Sequence, residues 1–378
     1  MRLVQVYDSQ NNVLEAAKNR VKFIFDNFDN IHISISSGKD STVLAHLVMQ
    51  EAARRKRKVG MFFLDEEVIY QASVDQIEYF YEELYADYIV PLWLQIEYNT
   101  TNATSSSDRY LIAWEEGKHK IWMRSKKSYS IKYPMWDTSN QIILKSEIGL
   151  SYYSVIANYE SCYSNTAFLV GLRGTESLNR WRAMCKHPVW IGGKNIYWAT
   201  KKDNNNVALY PIYDWNFADV WKYIYDNNLR YNKVYDWQFK KGMSINEMRV
   251  SSLIHEKAFK SLVELPEFEP KTYNKLIKRI KGIEFAQETG KRSKMFKVRK
   301  LPKNYHSWIE YRDFLLKTYP NHKERTIFVK RFSKHLNNEY VARQQCRQLV
   351  LSDVENNLPV INKLDPREEL IKYYMEVL

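Results

Sequence analysis

The chain has 378 residues, 45% of them apolar and 27% charged, with a net charge of +13 at pH 7; that is ample apolar content for one large or two smaller folded domains and points to an acidic ligand or partner. No run approaches the roughly 20 apolar residues of a membrane span, and Met1–Asp8 lacks the apolar segment of a secretory signal, so a cytoplasmic, reduced protein is expected. Cys162, Cys185 and Cys346 are widely separated and form no Cys-x-x-Cys pair, so no zinc or iron–sulfur site is expected.

In chain order, residues 11–28 carry apolar side chains at helical spacing. Ile31, Ile33 and Ile35 alternate with polar residues as a half-buried strand does. A polar loop follows, Ser36-Ser37-Gly38-Lys39-Asp40-Ser41, and then a helix is predicted over Thr42–Arg55. Such a loop aims backbone N–H groups and a helix N-terminus at one point, which favours an anion. Gly38 lets the backbone approach a phosphate, the serines add donors, and Lys39 adds a charge. The spacing is neither that of a Walker A loop nor that of a dinucleotide fingerprint. The alternative is a plain serine-rich turn with Asp40 or Ser41 capping the helix.

Val59–Asp65 reads as a buried parallel strand ending in an acid, Ser73–Tyr85 as a helix and Tyr88–Leu94 as the next strand. This alternation predicts an α/β fold with a doubly wound, mostly parallel sheet, whose ligands sit beyond the carboxyl ends of the strands. Residues 99–150 break the pattern. Thr100–Ser107 is loop-like, and Trp114, Trp122, Arg124, Lys126, Lys127 and Trp136 make the segment basic and aromatic, as a lid or substrate-specific insertion would be. Helical pattern returns at Gly149–Tyr159, followed by a buried strand over Phe168–Gly171.

Directly after that strand comes Gly171-Leu172-Arg173-Gly174-Thr175-Glu176-Ser177-Leu178-Asn179-Arg180-Trp181-Arg182. Arg173, Arg180 and Arg182 can fork onto phosphate or sulfate oxygens. The spacing of Arg173, Glu176 and Arg180 places them on one helical face, with Glu176 holding an arginine or a metal. A short strand, a turn at Asp214-Trp215 and an amphipathic helix over Asn216–Asn228 follow, with Trp221 and Ile224 as core anchors. Helices are then expected over 245–262, 270–287, 306–317, 325–337, 339–353 and 367–378. Residues 1–240 therefore read as the α/β domain and 241–378 as a helical C-terminal region. Basic clusters at Arg54–Lys58, Lys278–Lys281 and Lys291–Lys294, among 28 tyrosines and 11 tryptophans, would suit nucleic acid as a partner.

The ordered set resembles the phosphoadenylylsulfate (PAPS) reductase family, which includes the small subunit of bacterial ATP sulfurylase. Its parts are Ser36-x-Gly38-x-Asp40-Ser41, the strand ending in Asp65, Gly171-x-Arg173-x-x-Glu176, and the Pro211 to Ile224 block with its Asp219-Val220-Trp221. The resemblance implies an adenine nucleotide α-hydrolase-like fold that binds ATP, PAPS or APS, with Ser36, Ser37, Gly38, Lys39, Asp40, Ser41, Asp65, Gly171, Arg173 and Glu176 at the nucleotide. It places Lys39, Asp40, Arg173 and Arg180 at the reacting phosphate or sulfate, Asp65 near the adenosine, and a magnesium ion on Asp40 or Asp65. Beyond residue 240 the chain resembles the tail of phage- and plasmid-borne members, some linked to ParB-like protein partners.

The reductases' Glu-Cys-Gly-x-His segment is missing, and Cys346 lies in Gln344-Gln345-Cys346-Arg347, where Arg343 and Arg347 are the residues that would lower its pKa. The leading expectation is therefore an enzyme acting on the α–β bond of ATP or a related adenylyl nucleotide, by AMP transfer or pyrophosphate release. PAPS or APS reduction is the second expectation. A nucleotide-dependent, nucleic-acid-binding regulator or defence component is the third.

Overall fold

The structure, a computed structural model, describes residues 12–105, 108–143, 149–176, 180–181, 188–245, 248–255, 259–283, 301–356 and 359–363. The chain divides into two compact units, residues 1–287 and 288–378. The first contains α1 (Val13–Asn27), β1 (Asn30–Ser34), α2 (Lys39–Arg55), β2 (Val59–Leu64), α3 (Gln71–Glu82), β3 (Ile89–Leu94), β4 (Tyr98–Thr101), β5 (Tyr110–Ala113), α4 (Tyr152–Ser161) and β6 (Thr166–Val170). It continues through β7 (Val189–Ile191), β8 (Lys194–Ile196), β9 (Ala199–Lys201), β10 (Val207–Leu209), α5 (Phe217–Asp226), α6 (Val234–Lys240), α7 (Phe259–Phe268) and α8 (Pro270–Arg279). The second holds α9 (Trp308–Lys317), α10 (His322–Phe332) and α11 (Glu339–Val350), with Phe328, Phe332 and Leu349 as its core.

Six strands form one sheet in the order β3-β2-β1-β6-β10-β9. All neighbours run parallel except β9, which pairs antiparallel with β10. The mostly parallel α/β sheet expected from the alternating pattern is the one found. From β1 the chain winds outward to β2 and β3, then returns to the other side of β1 as β6. The winding reverses between β1 and β6, and the carboxyl ends of the strands at such a switch point are where ligands enter sheets of this kind.

Strand periodicity sorts the core. Val59, Met61 and Phe63 of β2 pack with α1, α2, α3 and α5, whereas Phe62 and Leu64 pack with α4 and with Trp114 and Trp136 of the insertion. All six residues of β2 are buried, as a strand covered on both faces requires. On the second face His32 is paired across strands with Gly60 and shares a 2.6 Å hydrogen bond between its Nδ1 and the Tyr159 hydroxyl. Burial pushes the imidazole down to about 4. A Cβ on Gly60 would lie 2.5 Å from His32 Cδ2 and 2.9 Å from Leu92 Cδ1, so the glycine is what makes room for the ring.

Three expectations need correction, and three short strands had no counterpart among them. Helix α2 begins at Lys39, not Thr42, which moves half of the polar loop into a helical turn. The unexpected strands β7 to β9 are three residues each, too short for periodicity to show, while β10 is the short strand expected before the Asp214-Trp215 turn. The loop-like stretch at Thr100–Ser107 begins inside a hairpin, since β4 runs to Thr101 and pairs with β5. No helix spans 245–262: within the described residues 248–255 Leu253 N–H donates to Val68 O at 2.9 Å and Ile254 O accepts from Ala103 N–H at 2.9 Å, so this backbone is taken by tertiary partners. The helix expected over 367–378 lies outside the described residues. Among the described residues no helix is long and apolar enough to cross a membrane.

The described arginines of the basic clusters have partners within the fold, while Arg54, Lys56, Lys58, Lys278 and Lys281 stay exposed. Arg54 and Arg55 bond to Glu51, Arg57 donates to the Phe25, Phe28 and Asp29 carbonyls at the end of α1 and just beyond it, and Arg279 is buried on Glu67. The Lys291–Lys294 cluster lies outside the described residues.

Replacing Gly60 with alanine is expected to destabilise the first unit by about 1–3 kcal/mol through overpacking. Chemical denaturation read by tryptophan fluorescence checks this, and an unchanged midpoint would show that His32 does not need the space.

Candidate functional site

The loop after β1 is built from its own backbone. Ser37 adopts a left-handed conformation (φ 57°), and Gly38 is the N-cap of α2 with no side chain capping it. Neither Asp40 nor Ser41 is the cap. Lys39, Asp40 and Ser41 are the first three helical residues, so their N–H groups and that of Gly38 have no partner within the helix. Serine chemistry goes elsewhere: Ser41 Oγ donates to Gly38 O at 2.9 Å and accepts from Ser36 N–H at 3.3 Å, and Thr42 Oγ1 donates to Gly38 O at 3.0 Å. These bonds fix the loop's shape and leave its amides pointing out of the helix end.

The loop after β6 meets it directly. A Cβ on Gly171 would lie 3.1 Å from Asp40 C and O and 3.2 Å from Ser41 N, so any side chain here would have to push the two loops apart by a few tenths of an ångström. Two residues on, Arg173 Nε donates to Asp40 Oδ1, while Lys39 Nζ lies 2.8 Å from Asp40 Oδ2. The three side chains are largely withdrawn from solvent, Arg173 at 5%, Lys39 at 8% and Asp40 at 15% exposure. Two cations thus converge on one carboxylate at an uncapped helix N-terminus. Gly174 N–H donates to Tyr213 O at 2.8 Å, which fastens this loop to the turn before α5.

Glu176 holds Arg180 at 2.9 Å, with both partly exposed. Arg173 is therefore brought to Asp40, and Arg180 is brought to Glu176 instead. Arg182 lies outside the described residues. Two side chains without an assigned role in the sequence complete the crevice: Tyr235, whose hydroxyl accepts the Lys39 N–H at 3.2 Å, and Asn232, whose Nδ2 donates to Ser37 Oγ at 3.4 Å and Ser73 Oγ at 3.0 Å. Their proximity comes from the turn between α5 and α6, a tertiary arrangement with no local sequence signal.

Asp65 sits at the end of β2 and is fully buried. Its Oδ1 accepts from Glu67 N–H at 2.9 Å and from Arg124, and its Oδ2 accepts from Trp93 Nε1 and Gln95 Nε2, each at 2.9 Å. Glu67, also fully buried, is forked by Arg279 at 2.7 and 2.9 Å and accepts the Trp114 N–H at 2.8 Å. These carboxylates tie the basic aromatic insertion and α8 to the sheet edge. Between them Glu66 is half-buried; burial first, then the Asp65 carboxylate, push it up to about 7.

Magnesium was expected on Asp40 or Asp65. Asp65 already has four donors on its two oxygens and does not fit a cation. The two oxygens of Asp40 are taken as well, Oδ1 by Arg173 Nε and Oδ2 by Lys39 Nζ, so a cation could bind there only after these two side chains move to another anion. Among the described residues no group of three or more His, Cys, Asp or Glu is placed to hold a metal. A shallow polar depression lined by Asn27, Asp29, Asn30, Ser164, Asn165 and Asn205 lies at the amino ends of β1 and β6, the edge opposite Asp40.

Residues 30–241 match the family model of the phosphoadenosine phosphosulfate reductase domain. The chain belongs to the PAPS reductase domain family. Residues 242–364 match a second model, a domain of unknown function (DUF3440). Over 316 residues, 82% of this chain and 76% of the relative, this family member is 24% identical to the uncharacterized protein YbdN of Escherichia coli K12. Among solved structures it is similar to the PAPS reductase of Candida auris in a phosphate complex (14% identity, 62% of this chain and 94% of that one, TM-score 0.33). It is also similar to the U34-tRNA thiolase NcsA of Methanococcus maripaludis with its [4Fe-4S] cluster (13% identity, 73% and 79%, TM-score 0.31).

Of the two described cysteines of this PAPS reductase-domain protein, one is buried and one exposed. Cys346 is fully buried, its Sγ donates to Trp308 O at 3.5 Å, and burial pushes it up to about 12. The cation that works against this rise is Arg312, not the expected Arg343 or Arg347; Arg343 lies over the Trp308 ring. Cys162 is exposed and its pKa is also raised by desolvation. Cys185 lies outside the described residues.

Replacing Arg279 with methionine strands the buried Glu67 charge and is expected to cost about 3–5 kcal/mol. Adding Glu67→Gln should return part of that loss. Denaturant unfolding of both variants checks it; equal losses in the single and double variants would mean the pair is not the anchor.

Proposed function

We propose that this chain is an adenine-nucleotide enzyme acting at the α–β linkage of ATP or a closely related adenylyl nucleotide, by AMP transfer to an acceptor or by release of pyrophosphate. The single observation that carries it is the convergence of Lys39 and Arg173 on Asp40 at the uncapped start of α2. Two cations and a fan of N–H groups in a mostly water-free crevice are what a departing pyrophosphate needs. Asp40 occupies the cations when no anion is present, and a phosphate group entering the crevice would take Lys39 and Arg173 from it.

In the proposed reaction an acceptor oxygen or nitrogen attacks the α-phosphorus, the bond to the bridging oxygen breaks, and pyrophosphate leaves with the electron pair. Lys39 and Arg173 neutralise the charge that grows on it, and Gly38 gives the backbone access. Ser36, Ser37 and Ser41 hold the loop in shape, while Glu176 and Arg180 flank the mouth. Magnesium, held by Asp40 together with the nucleotide's own oxygens, would supply further charge neutralisation. The buried Glu67 and Asp65 anchor the insertion that borders the nucleotide end of β2.

Family membership supports a second substrate class, the sulfonucleotides PAPS and APS. A reductase of that kind needs a thiolate nucleophile, and the buried, high-pKa Cys346 is a poor one. The adenylyl reading is therefore preferred.

Incubation with α-labelled ATP and Mg²⁺ is expected to yield labelled AMP or a labelled acceptor, and Arg173→Ala should lower the rate by about 10²-fold, as loss of a charge-stabilising donor does. Absence of any labelled product, together with sulfite release from PAPS and a thiol reductant, would replace this function with the second.

A further inference from the structure

The Tyr235 hydroxyl stands directly in front of the phosphate-type loop. It accepts the Lys39 N–H at 3.2 Å, and a Cβ on Gly38 would lie 3.4 Å from it and 3.6 Å from Ser36 Oγ. The Lys39 ammonium lies 5.6 Å from the centre of the Tyr235 ring. The side chain cannot easily swing away. Tyr235 is only 4% exposed, it packs edge-on against Trp221 with centroids 5.4 Å apart at 90°, and its N–H donates to Asn232 O at 3.2 Å. Asn232 in turn is held by Ser37 and Ser73.

A phenol has one proton to donate and can accept two hydrogen bonds. Here one acceptor position is taken by Lys39 N–H, while no described residue accepts the proton. A buried hydroxyl with an unused proton, in front of an anion loop, asks for an acceptor. Burial raises the phenol above its ordinary range, and the neighbouring Asp40 and Glu176 carboxylates add to this, so the proton stays on at neutral pH.

We infer that Tyr235 is a ligand-contacting residue of this site: its hydroxyl accepts a hydrogen bond from Lys39 N–H and, keeping its proton, donates one to a terminal oxygen of a bound phosphate or sulfate group. The Lys39 amide then acts on the anion through the phenol. The oxoanion sits one hydroxyl further from the helix axis than in a loop whose amides all bond directly. That places it between the Tyr235 proton and the two cations, Lys39 and Arg173. Asn232 is the positioning residue, since it ties the turn that carries Tyr235 to Ser37. The inference rests on the reading of this crevice as an oxoanion site.

The test is isothermal titration of the full chain with sodium pyrophosphate and, separately, with ATP. The wild type is expected to bind both, and Tyr235→Phe to bind both about tenfold to a hundredfold more weakly, the usual loss for one hydrogen bond to a charged group, with its thermal midpoint little changed. Wild-type binding with equal affinity in Tyr235→Phe would overturn the role of Tyr235 and leave the oxoanion site standing. A wild type that binds neither probe would remove both. Should the phenylalanine variant fail to fold, 2,3-difluorotyrosine incorporated at position 235 keeps the shape and supplies a more acidic donor. Pyrophosphate should then bind more tightly near neutral pH and lose that gain at higher pH as the phenol ionises. An affinity and pH profile identical to the wild type would overturn the inference, because a purely structural phenol has no reason to follow ring acidity in this way.

Discussion

Everything at the crevice depends on one close approach of backbone to backbone. Gly171 brings the loop after β6 so near to the first turn of α2 that a Cβ there would sit 3.1 Å from the Asp40 carbonyl. The approach is possible because β1 and β6 are neighbours in full register, Asn30 with Thr166 through Ser34 with Val170. Their ends therefore release the two loops at the same height. Once they touch, Arg173 cannot avoid Asp40, and Asp40 cannot avoid Lys39. Desolvation strengthens each of these pairs, so the crevice stores two cations that only a carboxylate or another anion can satisfy.

A second set of charges works differently. Asp65, Glu66 and Glu67 leave the end of β2 in succession, and the outer two are fully satisfied by donors from distant segments. Their role is to hold: Arg124 and Trp114 come from the insertion, and Arg279 comes from α8. Residues 242–364, the region matched by a domain of unknown function, thus begin as part of the first compact unit, through a buried ion pair on the sheet edge. Glu66, between them, is pushed up to about 7 by burial first and then by the Asp65 carboxylate.

Much of this was legible in the chain itself, for identifiable reasons. Strands and helices with a clear apolar pattern declared themselves, as at Val59–Leu64; the Ile31–Ile35 strand was found too, but read as half-buried, whereas β1 is covered on both faces with His32 buried on the second. The loop and the Gly171–Glu176 block were recognisable because their chemistry is local: a glycine, a hydroxyl and a charge at fixed spacing. What escaped depends on folding. That Arg173 rather than Arg180 reaches Asp40 is set by the β1–β6 register. That Asp65 carries four donors depends on Trp93, Gln95, Glu67 and Arg124 arriving from four places. Tyr235 lies 196 residues from its Lys39 partner, and no pattern in a single sequence links them. The non-helical 248–255 segment was misread because its apolar residues serve tertiary backbone bonds instead of a helix face.

The central claim is that the two loops form one oxoanion site. It is tested most directly by soaking crystals of the full chain with tungstate and locating the metal by anomalous scattering. The account expects a single strong peak in front of the Gly38–Ser41 amides, flanked by the Lys39 and Arg173 side chains. Peaks confined to surface lysines, with none at this crevice under saturating tungstate, would contradict it.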